Sequence, residues 1–104
     1  MRDLQSITEF DELLATQKYL LIDYSAEWCG PCNRLKPLLD SLQGFYPNVT
    51  FIRIDVDTHQ ELAELHQIRS IPTVMFYVDG TLQQEIVQGA NIEKIKLICE
   101  KYFV

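Results

Sequence analysis

No stretch of this chain is long and apolar enough to cross a bilayer, and its start, Met1-Arg2-Asp3-Leu4, lacks the apolar core of a secretory signal. Neither a membrane role nor export by such a signal is therefore expected. Positive charge is also scarce. Nine Lys/Arg stand against fifteen Asp/Glu, giving a net charge of −6, and no run of cations offers a footprint for a phosphate backbone. Nucleic acid is not an expected partner. The three cysteines are too few, and odd in number, for a small secreted disulfide scaffold, so a reducing, cytoplasmic compartment is the expectation. Linkers, internal repeats and low-complexity segments are missing as well. Residues 1–104 thus read as one domain, long enough to bury about two-thirds of its unfolded surface without metal or structural disulfides.

What is present is an alternation of helical and strand patterns. Ser6-Ile7-Thr8-Glu9 has the form of a capping box, opening a helix whose buried face is Phe10, Leu13 and Leu14. Tyr19 to Ala26 is a mostly apolar run, as expected of a central strand covered on both faces. Leu35, Leu38, Leu39 and Leu42 follow helical spacing in a helix from Pro31 to about Phe45, with a kink expected at Pro37. Val49 to Val56 reads as the next strand. Thr58-His59-Gln60-Glu61 reads as a second capping box, opening a short helix with Leu62, Ala63 and Leu65. Thr73 to Val78 and Thr81 to Gln88 form an antiparallel pair around an Asp79-Gly80 turn. Asn91 then caps a last helix with Ile92, Ile95, Ile98 and Tyr102 inward. Strands joined through helices lie parallel and the hairpin adds an antiparallel edge, so the class is α/β with a mixed sheet and helices on both faces.

The chemistry concentrates at Cys29-Gly30-Pro31-Cys32, where a strand gives way to a helix. A disulfide across so short a loop contributes little chain-entropy stabilisation, which suits a bridge made to open and close. Half a zinc site would need a second ligand pair, and Cys99, His59 and His66 do not show zinc spacing. An iron–sulfur cluster would need two further ligands. The reading is thiol–disulfide exchange, with no metal. Cys29 is the expected nucleophile, its sulfur exposed and its thiolate favoured by the free N–H groups and dipole of the helix start. Cys32, one turn further in and shielded, is the expected resolving thiol. Gly30 lets the turn pass close to a partner, and Pro31 occupies a first-turn position that needs no N–H.

Asp23 interrupts the apolar run that leads to the cysteines. Burial there would raise its pKa toward a range useful for moving protons, although a hydrogen-bonded carboxylate or an open strand end would also account for it. Arg53 breaks the apolar pattern of its own strand. It either neighbours Asp23 in the sheet, as a modulator, or lies on a solvated face. His59 and His66 read as surface helix residues without partners, and Cys99 as a small buried hydrophobe.

Trp28-Cys29-Gly30-Pro31-Cys32, together with Asp23-Tyr24-Ser25-Ala26-Glu27, Pro37, Ile71-Pro72-Thr73, Asp79-Gly80 and Gly89, resembles the thioredoxin family over nearly the whole chain. The resemblance implies a three-layer α/β/α fold with a central mixed five-stranded sheet and four flanking helices. It implies a buried catalytic aspartate at Asp23 and a cis-proline at Pro72. It further implies a substrate-docking surface of Trp28, Gly30, Pro31, Ile71, Pro72 and Gly89, with the Ile71 backbone offered to an incoming strand. The family often carries lysine where this chain has Arg53, and again where it has Asn33. Function by resemblance is protein-disulfide reduction through the intrinsic Cys29–Cys32 couple, with no bound cofactor. The implied partners are disulfide-containing target proteins and a thioredoxin reductase, NADPH- or ferredoxin-linked, acting on a monomer. Two alternatives remain at this level: a disulfide oxidase or isomerase running the same chemistry in reverse, and a non-catalytic binding subunit.

Overall fold

The apolar run at the centre of the first long strand sets the middle of a mixed sheet in the computed structural model, which describes all 104 residues. In chain order the elements are β1 (Arg2–Asp3), α1 (Ile7–Thr16), β2 (Tyr19–Ser25), α2 (Gly30–Gln43), β3 (Val49–Asp55), α3 (Gln60–Leu65), β4 (Thr73–Val78), β5 (Thr81–Gln88) and α4 (Ile92–Tyr102). The sheet order is β1-β3-β2-β4-β5. The β1–β3 and β3–β2 pairs are parallel, and β2–β4 and β4–β5 are antiparallel. The five strands and four helices agree with the expected fold.

Because successive strand residues point to opposite faces, β2 feeds two cores. Leu21 joins Phe51 and Val74 on the face covered by Leu35, Leu39 and Leu42 of α2 and Ile95 and Ile98 of α4. Leu20, Ile22 and Tyr24 join Ile52 and Ile54 on the other, against Phe10 and Leu13 of α1 and Leu62 of α3. That accounts for the near-absence of polar alternation in β2. It also makes Asp23, which shares the Leu21 face, conspicuous.

Local signals set most element ends. Ser6 Oγ accepts the Glu9 N–H at 3.1 Å, while Glu9 Oε1 reaches past the cap to the Gln5 N–H at 2.9 Å. Asn91 Oδ1 accepts the Lys94 N–H at 3.1 Å. The hairpin turn uses Asp79 and Gly80 with φ of 50° and 78°, the left-handed pair that a two-residue turn requires. Helix α2 continues through Pro37 to Gln43.

Other expectations fail for physical reasons. Thr58 is not a helix cap: α3 begins after His59, and Asp55 Oδ1 organises the preceding turn by accepting the N–H groups of Asp57 and Thr58 at 2.8 and 3.2 Å. Leu65 is exposed, since a six-residue helix presents one side to the core and Leu62 fills it. Leu38 is exposed too, at the margin of the α2 stripe beside the groove toward α4. The strand β1, only two residues long, carries no periodicity by which a sequence could announce it.

Candidate active site

Strand β2 ends at Ser25, and within four residues the chain enters α2 with Cys29 as the N-cap. Cys29 Sγ therefore stands where the cap side chain stands, and the Cys32 N–H points at it from 3.2 Å. This donor is one of the helix-start N–H groups that lack an internal partner, and it favours negative charge on the sulfur. The Asn33 N–H closes the first helical bond to the Cys29 carbonyl at 3.0 Å. The Asn33 side chain ties back to the Glu27 carbonyl at 2.9 Å. Cys29 and Cys32 are joined as a disulfide with a Cα–Cα distance of 5.2 Å.

The expected exposure of Cys29 needs correction. The residue is only 5% exposed, against 1% for Cys32, because both pack with Ala26 under Val56 and Ile71. The Ile71 carbonyl oxygen lies 3.9 Å from Cys29 Sγ. Ile71-Pro72 is a cis peptide, and the Pro72 carbonyl accepts the Gly89 N–H at 2.8 Å. Ile71, Pro72 and Gly89 are thus brought together, with Ile71 at the cysteines. Gly30 and Pro31 are exposed in the first turn of α2.

Trp28 is 72% exposed, yet its indole is tethered: Nε1 donates to Asp57 Oδ2 at 2.8 Å. With Val56, Ile68, Arg69, Ser70 and Ile71 it lines a shallow cavity of about 180 Å³ beside the disulfide. The sequence does not single out Asp57, Val56, Ile68 or Arg69. Their only local signal is proximity to the end of β3 and to Ile71, and nothing in it names Trp28.

Asp23 is 0% exposed, and neither carboxylate oxygen accepts a hydrogen bond from the protein. Burial lifts its pKa to about 7, with the Arg53 charge acting in the opposite direction. The hydrogen-bonded and open-strand readings of Asp23 both fail. Arg53 lies directly across from it in the parallel register and is itself buried, so it is not on a solvated face. Its Nη1 lies 3.5 Å from Asp3 Oδ1, and its Nε has no partner.

Neither histidine is a partnerless surface residue. His59 Nε2 meets the Leu4 carbonyl at 3.0 Å, and His66 Nδ1 meets the Tyr24 hydroxyl at 3.2 Å while its ring stands edge-on to Phe10. Both tie α3 to the α1 side of the sheet. Cys99 is fully buried, and burial pushes its thiol up to about 12.

Comparison with known proteins places this geometry. The family model described as Thioredoxin matches residues 4–101. The chain is 39% identical over 98 residues to human thioredoxin, covering 92% of each chain. It is 40% identical over 99 residues to thioredoxin of Geodia cydonium, covering 89% of this chain and 93% of that one. Among solved structures, that of Plasmodium falciparum thioredoxin superposes with a TM-score of 0.92 at 34% identity, over 98% of this chain and 99% of that one.

Proposed function

The chain belongs to the thioredoxin family and carries out dithiol–disulfide exchange, and from that premise we propose how its residues divide the work. Cys29 is the attacking sulfur. Its thiolate attacks one sulfur of a target disulfide, forming a mixed disulfide and expelling the other target sulfur as a thiolate. Asp23 takes the proton of Cys32, which is buried in the first turn of the helix covering the Asp23 face. The Cys32 thiolate then attacks Cys29 Sγ. The Cys29–Cys32 disulfide closes, and the target leaves with both sulfurs reduced. Two electrons have passed from this chain to the target, and the dithiol itself is the only carrier.

The observation that carries this division is the aim of the Cys32 N–H at Cys29 Sγ, which singles out Cys29 as the sulfur whose charge the helix supports. The tethered Trp28 ring and the Ile71 carbonyl lie beside the disulfide, which supports docking of an extended target segment beside Ile71 and against Trp28. Pro72 and Gly89 hold that loop in place, and Gly30 and Pro31 form the opposing turn. Recharging falls to a thioredoxin reductase, NADPH- or ferredoxin-linked, and the reducing cytoplasm is the compartment that suits such a couple. The redox pair lies within one chain, consistent with action as a monomer.

Redox poise tests the direction. Equilibration of the protein with glutathione buffers, followed by thiol counting, is expected to give a Cys29/Cys32 potential well below the glutathione couple. A potential near or above that couple would make the chain an oxidant or isomerase. Retention of the biological role by a Cys29→Ser, Cys32→Ser double variant would instead make it a binding subunit.

A further inference from the structure

Arg53 stands between two carboxylates. Asp3 on β1, Arg53 on β3 and Asp23 on β2 form one row of the sheet register, so their side chains project to the same face. Neighbouring strands lie about 4.8 Å apart, which puts both acids within reach of one guanidinium. It engages only one: Nη1 is 3.5 Å from Asp3 Oδ1, while the Asp23 oxygens and Arg53 Nε remain unpartnered. We propose that Asp3 is a positioning residue for the exchange reaction, drawing Arg53 toward the sheet edge so that Asp23 stays unpaired and free to accept the Cys32 proton. The proposal rests on the reading of Asp23 as that base.

The physical reason is that a carboxylate closely paired with a cation is a poor base, its pKa lowered by about 1–3 units at a separation of 4–6 Å. Where the guanidinium sits therefore decides the strength of the base. At this end of the sheet a polar cavity of about 240 Å³ is lined by Asp3, Glu27, Arg53, Asp55 and His59 among others. Cys32 stands on α2, which packs over the same face of the sheet, with Lys36 one turn further along that helix. Asp55 is already engaged by the N–H groups of Asp57 and Thr58, and His59 by the Leu4 carbonyl. Asp3 is the ion-pair partner that Arg53 has. The Asp3 side chain is 58% exposed, and such a pair contributes little to stability, so replacing Asp3 probes position rather than folding.

The test uses Asp3→Asn, Arg53→Gln and the double variant. Two quantities are followed across pH: the ¹³C NMR titration of the Asp23 carboxyl in the oxidised protein, and the single-turnover rate of mixed-disulfide resolution with a disulfide peptide. Asp3→Asn is expected to lower the Asp23 midpoint by about one unit or more as Arg53 turns toward it, and the acid limb of the rate profile should move with it. With Arg53 already replaced by Gln, the same Asp3 change should move neither. An unchanged midpoint in Asp3→Asn overturns the proposal. So does an equal shift without Arg53, which would reduce the role of Asp3 to its bare charge. A midpoint that moves while the rate limb stays leaves the Asp3–Arg53 placement standing and overturns Asp23 as the base.

Discussion

An aspartate with no access to solvent and no hydrogen-bond donor keeps its proton far above the usual carboxylate range, and for Asp23 that limit is about pH 7. The same burial that suits it to proton transfer is a cost to the fold. In the unfolded chain the group ionises near 3.8, so between that pH and about 7 the folded protein binds more protons than the unfolded one. Stability is therefore full below the lower value and declines as pH rises through the upper one, by on the order of 4 kcal/mol at most. Asp23→Asn removes this dependence. Urea titrations should show the variant gaining on the parent protein as pH rises from 4 toward 7, with little further gain above that range. Exchange tells the opposite story: resolution of the mixed disulfide at neutral pH should slow by roughly tenfold or more, since a positioned base contributes up to several orders of magnitude. An equal resolution rate in the variant would remove Asp23 from the mechanism.

At the scale of elements, the site is assembled by ends rather than middles. The end of β2, the start of α2 and the loop before β4 meet at the disulfide, and each is held by a local device: the Cys29 cap, the Asn33–Glu27 tie and the Gly89–Pro72 bond. The β4–β5 hairpin is held at its far end by Gly80. A Cβ there would lie 2.7 Å from the Leu14 carbonyl oxygen at the end of α1, on a backbone with φ of +78°. Gly80→Ala should therefore cost roughly 2 kcal/mol or more of stability, read as a lower urea midpoint, combining left-handed strain with displacement of α1. The cysteines lie elsewhere, so the exchange rate of the folded fraction should be unchanged. A neutral substitution would show that α1 yields at that contact without cost.

For the molecule as a whole, two cores on either side of one sheet hold the fold, and the disulfide is not needed for it. The loop it closes joins residues three apart, for which chain entropy gives about 2 kcal/mol, less than a longer loop would supply. The reduced protein is thus expected to unfold cooperatively in urea with the same m value, at a stability about 2 kcal/mol lower. Loss of cooperative folding on reduction would mean that the bridge is structural. A fold that stays cooperative in both redox states is what repeated cycling of Cys29 and Cys32 demands.

The parts legible in the sequence were those set by neighbours a few residues apart. The Cys29 cap, the first-turn Pro31, the Ser6 and Asn91 caps, the Asp79-Gly80 turn and the order of strands and helices all follow from spacing and turn chemistry that a local window contains. The burial of Asp23 was readable for the same reason, because its neighbours in β2 are apolar. Tertiary structure alone decided the remainder: the Ile71 carbonyl beside Cys29, the Asp57 tether on Trp28, Leu4 on His59, and the choice of Asp3 rather than Asp23 by Arg53. These contacts join residues 42, 29, 55 and 50 positions apart in the chain. Strand register and helix packing set them, and the periodicity of any one segment carries no record of which distant segment will lie against it.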